Sequence, residues 1–213
     1  MTGCPMTALV RVRWPILAAA LVMAALSVSA CTFSSVPDPS LSDKDAQLLA
    51  SAPDFELDAD YKRYKVDDPT GEPPGTIVVD TKARHLYFVE PDKKAIRYGV
   101  AVGSEAFGWT GTAVIGRMSE WPRWMPPAEM LERWPHLRPT AEAGGLPGGP
   151  GNPLGARAMY LYHDNVDTLY RIHGTNEPGK IGTGVSSGCI RMTNIDAIDL
   201  YNRVKVGTKV IVK

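Results

Sequence analysis

Met159-Tyr160-Leu161-Tyr162-His163-Asp164-Asn165-Val166-Asp167-Thr168-Leu169-Tyr170-Arg171-Ile172-His173-Gly174-Thr175-Asn176 is the stretch that decides the fold. Two runs of aromatic and aliphatic residues, 159–162 and 168–172, flank Asp164-Asn165, a dipeptide suited to a tight turn. The pattern predicts a β-hairpin that delivers His173 to a strand end. Working outward, Thr76-Ile77-Val78-Val79-Asp80 and His85-Leu86-Tyr87-Phe88-Val89 read as strands joined by a polar turn. Pro91-Asp92-Lys93-Lys94 makes a further turn before a strand over 96–102. Residues 113–115 and 209–212 add two short ones. One main helix is expected over 195–204, capped by Thr193 or Asn194, with Asp196 in its first turn. The chain thus reads as an α+β domain, mainly β, with no internal repeat.

Residues 103–157 break this rhythm. They hold Trp109, Trp121, Trp124 and Trp134, many prolines, and Gly144-Gly145-Leu146-Pro147-Gly148-Gly149-Pro150-Gly151. Irregular stretches of this length are unusual in compact domains and are often functional. Either a lid or wall over a site, or a structural excursion, is expected here, with a short helix near 127–133.

Sixteen residues beyond His173 stands Cys189, in Val185-Ser186-Ser187-Gly188-Cys189-Ile190-Arg191-Met192. A thiol becomes a strong nucleophile when a base removes its proton, and imidazole is the usual base. Gly188 lacks a Cβ and allows a tight turn that exposes backbone N–H groups, which could hold an oxyanion. Arg191 offers a planar fork for a carboxylate; its alternative role is an ion pair with Asp196 or Asp199. A buried structural cysteine is the alternative for Cys189. His85, His136 and His163 read as structural or solvated. No C-x-x-C or H-x-x-x-H spacing points to a zinc site, and no cofactor or metal is expected.

The N-terminus speaks of export. Arg11 and Arg13 precede an apolar run, 16–30, too short to span a bilayer comfortably. It ends in Val28-Ser29-Ala30-Cys31. Residues 1–30 are therefore expected to be a signal peptide, and the ending resembles a bacterial lipobox, which implies a lipid on Cys31. Plain cleavage that leaves Cys31 a free thiol, and an uncleaved anchor, are the alternatives. With Cys4 removed and Cys31 lipidated, Cys189 would stand alone in an oxidising compartment. The whole chain balances 23 basic against 23 acidic residues, and removing the signal leaves 21 against 23. No basic patch suggests nucleic acid. Residues 31–74 read as a linker or arm, with a helix over 42–50 capped by Ser42 and with Tyr61 and Tyr64 as docking residues. As a flexible chain the arm would reach about 35–40 Å. The alternative is an extension packed on its own domain, 75–213.

The catalytic stretch resembles the L,D-transpeptidases of the bacterial cell wall, the YkuD-type domain. The likeness is carried by Gly75-Thr76-Ile77-Val78-Val79-Asp80, Asn152-Pro153-Leu154-Gly155, His173-Gly174-Thr175-Asn176 and Ser186-Ser187-Gly188-Cys189-Ile190-Arg191-Met192. Many members carry His where this chain has Ser187. The resemblance implies a mixed β-sandwich or barrel, and Cys189 as nucleophile toward peptidoglycan stem peptides. It implies His173 as proton acceptor and donor, the Gly174 carbonyl as its orienting partner, and N–H groups of Gly188 and Cys189 for the oxyanion. Arg191 and Ser187 are then the candidate substrate-binding residues. Release of D-alanine and transfer to a stem amine would give 3→3 crosslinks. Transfer to water, or to a lysine of an envelope protein, is the alternative, and a non-catalytic wall-binding lipoprotein is a further one. The expected location is periplasmic, lipid-anchored, and the outer membrane rather than the inner.

Overall fold

A computed structural model describes residues 33–52, 54–103, 110–184 and 188–213. Cys31 and the signal segment, Trp109 and Ser187 lie outside these described residues. Within the packed unit formed by residues 31–213, eleven strands make one open mixed sheet. In chain order they are β1 Ser34–Ser35, β2 Tyr64–Asp67, β3 Ile77–Asp80, β4 His85–Glu90, β5 Lys94–Gly99 and β6 Ala101–Val102, followed by β7 Gly111–Glu120, β8 Arg157–His163, β9 Val166–His173, β10 Ile190–Arg191 and β11 Lys209–Val212. Across the sheet the order is β1-β2-β5-β4-β3-β11-β7-β8-β9-β10-β6. Among the described residues, only β3 with β11 and β9 with β10 run parallel.

Local sequence explains most of these elements. Ile77, Val78 and Val79 are buried on both faces, as suits a β-branched run in mid-sheet. Asp80 Oδ1 accepts the N–H groups of Lys82 and Ala83 and closes the turn into β4. Asp164 and Asn165 both take positive φ (49° and 63°), the geometry of a two-residue hairpin turn between β8 and β9. Two strands differ from expectation. The run 96–102 divides at Val100: β5 pairs with β4 in one half of the sheet, whereas β6 pairs with β10 at its far edge. The strand expected over 113–115 extends to ten residues. Both of its edges are occupied, by β11 along its first half and by β8 from Val114 onward, with a register shift between Ile115 and Arg117.

Leu86, Ile96 and Tyr98 from one half of the sheet share a core with Ile172, Ile190 and Met192 from the other. The sheet therefore curls over on itself like a sandwich without closing. Four helices accompany it among the described residues: α1 Asp43–Leu49, α2 Ala128–Arg133, α3 Arg138–Glu142 and α4 Asn194–Arg203. The longest, α4, is capped by the Thr193 hydroxyl, which accepts the N–H of Asp196, and it buries Ala197, Ile198 and Leu200.

Residues 31–74, set apart in the sequence as a linker or arm, are packed onto the same unit. Strands β1 and β2 extend the sheet beyond β5. Helix α1, capped by Ser42, buries Asp45, which takes two hydrogen bonds from Arg157 (2.9 and 2.8 Å) and one from the Trp121 indole (2.8 Å). Arg63 reaches the base of α4 and pairs with Asp196 at 2.8 Å. Tyr61 packs against Gly99 and Gly182, and the Arg97 guanidinium lies 5.7 Å from the Tyr64 ring centroid. Two charged residues of this polar segment, Asp45 and Arg63, are buried in these ionic joints.

Candidate active site

The hairpin β8–β9 and the parallel strand β10 hold His173 from both sides. Its cross-strand partners are Ala158 on β8 and Arg191 on β10. The Met192 N–H donates to the His173 carbonyl at 2.8 Å, and the Gly174 N–H to the Arg157 carbonyl at 2.9 Å. Side chains in a strand alternate faces, and in-register partners share one. Ile172 and Ile190 point into the core. Arg171, His173 and Arg191 therefore lie on the other face. Cys189 precedes β10 by one residue, and the register carried back from Ile190 sets it opposite Arg171, on the same face as His173.

The imidazole of His173 is buried, at 4% exposure, and its Nδ1 lies 2.5 Å from the Gly174 carbonyl. A carbonyl only accepts, so Nδ1 carries the proton and Nε2 is left as the base. This is the orienting contact expected of Gly174. The turn that creates it has no room for a side chain: a Cβ on Gly174 would overlap Asn194 Oδ1. That oxygen, at the first turn of α4, accepts the N–H groups of Ala156 (2.9 Å) and Thr175 (3.1 Å). Asn194 thus ties the loop after His173 to the segment leading into β8, a positioning role that a reading of it as a helix cap did not reveal. Beside Cys189, Gly188 takes φ +87°, a conformation that favours glycine, and a Cβ there would press on the Tyr170 ring.

Burial pushes the Cys189 thiol up, against the pull of Arg171 and Arg191. Burial, aided by Arg191 and Arg171, lowers His173 to about 3, while the Gly174 contact works the other way. The pair therefore rests as neutral thiol and neutral imidazole at pH 7. Two arginines beside it favour any negative charge that forms on or near the sulfur. Arg171 was not among the residues singled out in the sequence. The signal was present, because it stands two positions before His173 in a strand and so must share its face.

Arg191 sits 3.3 Å from the exposed carboxylate of Glu177. The pairing with Asp196 or Asp199 weighed as its alternative is not what the structure shows. Asp196 is held by Arg63, and Asp199 accepts from Tyr98 (2.6 Å) and from Arg203. The described part of the Trp-rich stretch is tied down at several points. Trp121 is bonded to Asp45, the Asn152 amide donates to the Pro122, Leu146 and Pro147 carbonyls, and Gly151 accepts from Asn176. Trp134 and Met125 remain exposed. A cavity of about 490 Å³ opens between the arm and the loop after His173, lined by Phe55, Lys62, Thr175 and Asn176 among others. Neither Cys189 nor His173 is among its lining residues. His85 and His163 bond to the carbonyls of Asp60 and Thr112. No three His, Cys, Asp or Glu side chains among the described residues are placed to hold a metal.

Comparisons with known proteins point to one family. A probable L,D-transpeptidase ErfK/SrfK of Escherichia coli strain K12 is 34% identical over 139 residues, covering 63% of this chain and 42% of that protein. The chain thus spans less than half the length of that relative. A putative L,D-transpeptidase from the ATP synthase subunits region of Fuscovulum blasticum is also 34% identical, over 67% of this chain and 70% of the other. A solved structure described as a probable carnitine operon oxidoreductase from Brucella melitensis is 48% identical with a TM-score of 0.50, covering 79% of this chain and 99% of that one. That description names a different chemistry, so the assignment rests on the family match. The YkuD family, described as the L,D-transpeptidase catalytic domain, matches residues 74–212. The chain belongs to that family.

Proposed function

We propose that this protein is a peptidoglycan L,D-transpeptidase working through a Cys189 thioester. The observation that carries the reading is a neutral imidazole, fixed by the Gly174 carbonyl, on the same face of β9–β10 as a cysteine flanked by two arginines. Sγ of Cys189 attacks the carbonyl between the third stem residue and the terminal D-alanine while His173 Nε2 takes the thiol proton. The C–S bond forms and the oxyanion is held by the N–H groups of Gly188 and Cys189. Nε2 then returns the proton to the leaving nitrogen, the C–N bond breaks, and D-alanine departs. A side-chain amine of a second stem attacks the thioester and loses its proton to Nε2, the C–S bond breaks, and Nε2 returns the proton to Sγ, leaving free Cys189 and a 3→3 crosslink. Arg191 takes a stem carboxylate, and Ser187, next to Gly188 in the sequence, is the second candidate substrate-binding residue. We place the protein in the periplasm with Cys31 lipidated and facing the wall from the outer membrane.

The test is incubation of the protein with tetrapeptide-stem muropeptides, followed by mass spectrometry. Dimers lacking one D-alanine are expected. Tripeptides alone would mean that water is the acceptor, and lysine-linked stems on an envelope protein would mean tethering. Intact-mass analysis of the wild-type chain should show the acyl adduct, and Cys189→Ala should abolish both adduct and product while keeping the fold. An adduct on Cys189→Ala would remove the nucleophile assignment. No reaction, with tight binding to sacculi, would favour a non-catalytic wall-binding protein.

A further inference from the structure

A row of side chains crosses four strands and ends at the nucleophile. Arg117 on β7 is the cross-strand partner of Tyr160 on β8, and Tyr160 is the partner of Arg171 on β9. The register of β9 with β10 then sets Cys189 opposite Arg171. Neighbouring strands lie about 4.8 Å apart, so Tyr160 is about 10 Å from Cys189 and the Arg117 backbone about 14 Å.

Both arginines stack on the tyrosine. The Arg117 guanidinium lies 3.5 Å from the Tyr160 ring centroid and that of Arg171 lies 4.6 Å from it. Because β7 and β9 flank β8, the two approach the ring from opposite sides. Their electrostatic situations differ. Arg171 is engaged by Asp167 through two bonds, 2.8 and 3.0 Å. Arg117 is exposed and has no carboxylate partner among the described residues. Stacking fixes the plane of a guanidinium and leaves its N–H edge free, an arrangement suited to two-point binding of a carboxylate.

We propose that Arg117, stacked on Tyr160, forms a subsite for a free carboxylate of the acyl donor, carried by one of the two stem residues that precede the residue whose carbonyl Cys189 attacks. The inference rests on the acyl-transfer reading and adds to it a specificity determinant. Distance selects the group. An extended residue spans at most about 3.3–3.6 Å, so the carboxylate of the leaving residue stays near Cys189, within reach of Arg191 rather than Arg117. A carboxylate on a side chain one or two residues upstream falls about 7–10 Å away, over Tyr160.

The experiment uses the full chain carrying Cys189→Ala, so that binding is read without turnover. Two donor peptides are compared by calorimetry, identical except for a free carboxylate or a carboxamide two residues before the scissile carbonyl. The acid should bind more tightly by about tenfold to a hundredfold. Adding Arg117→Gln should bring the acid to the level of the amide. Equal binding of the two with Arg117 intact, or a preference that survives Arg117→Gln, overturns the subsite. The two readings fail separately. A chain that prefers the acid but never forms a thioester on Cys189 keeps the subsite and loses acyl transfer. A chain acylated at equal rates by both donors, with no difference in binding, keeps acyl transfer and loses the subsite.

Discussion

The joint between arm and sheet and the face that carries Cys189 both bury titratable groups, and they treat charge in opposite ways. At the joint, charges are matched. Burial works against the Asp45 carboxylate, yet donors from Arg157, Ser42 and Trp121 more than offset it and hold it well below the usual carboxylate range. Asp196 has the same kind of partner but a poorer shell. It has one bond from Arg63, and burial wins, pushing it up to about 6. At the face, the ionisable pair itself is kept uncharged: His173 falls to about 3 and the Cys189 thiol rises. Its arginines lie beside the pair and have their own partners, Asp167 and Glu177. The number of donors aimed at a buried group decides whether it is a fixed charge or a neutral group waiting for a proton transfer.

Removing the base tests the neutral pair most severely. His173→Ala should lower turnover by about 10²–10⁴-fold while leaving a thiol that still alkylates slowly. The wild-type pH profile carries the sign. A base depressed from 6.5 to about 3 stays unprotonated as pH falls through 6, and the rate is lost only as pH approaches the folded value. An acid limb in kcat/KM centred near 6.5 would mean that the imidazole is far less shielded than its burial indicates. Near wild-type turnover in His173→Ala would mean another base.

The joint should fail in stability instead. Asp45→Asn leaves the Arg157 guanidinium buried without a counter-charge, a change that costs about 3–5 kcal/mol when a buried pair is broken from one side. Urea unfolding with unchanged m-value reads it. The folded carboxylate is more acidic than the unfolded one at 3.8, so its contribution is complete above that pH and disappears as pH falls below it. A loss under about 1 kcal/mol would show that the arm is held by the sheet pairing of β1 and β2 rather than by Asp45.

The hairpin and the helix that flank Cys189 and His173 in the sequence were the legible part. The hairpin turn Asp164-Asn165, the cap at Thr193 and the strand end at His173 are local signals, and each element formed where its residues required it. What could not be read depends on partners far apart in sequence. Asp45 and Arg157 are 112 positions apart, and Arg63 and Asp196 are 133 apart. Without that pairing Asp45 and Arg63 look like ordinary solvated charges. The division of 96–102 at Val100 was hidden for the same reason, since its two halves satisfy ladders in different parts of the sheet. Arg171 and Asn194 fall between these cases. Period-two alternation already placed Arg171 beside His173, but the contacts of Asn194 with Ala156 and Thr175 need the fold.

Arg191 separates binding from stability more finely. Arg191→Lys keeps the charge and loses the planar fork, so kcat/KM should drop by about tenfold to a hundredfold with the melting temperature nearly constant. With Asp196 and Asp199 bonded elsewhere, a structural penalty has few sources. Lower stability with normal kcat/KM would take Arg191 out of substrate binding.

The smallest expected effect is at Glu177. Its contact with Arg191 is a long one, 3.3 Å, and its side chain is 54% exposed, so the pair resembles the surface ion pairs that contribute about 0–1 kcal/mol. Glu177→Gln should leave stability within about 0.5 kcal/mol of wild type. Its kinetic effect has a definite direction. A carboxylate that occupies the Arg191 fork in the free enzyme must be displaced before a substrate carboxylate can use it, so it competes in the ground state and not in the chemical step. Removing it should lower KM by a few-fold, about the factor that a fraction of a kcal/mol gives, with kcat unchanged. The gain should shrink as salt rises, because added ions screen the same exposed pair. If KM rises instead, Glu177 holds Arg191 in its working orientation and is itself a positioning residue. If nothing changes at low salt, Arg191 does not meet the substrate, and the arginine face acts on Cys189 only through its field.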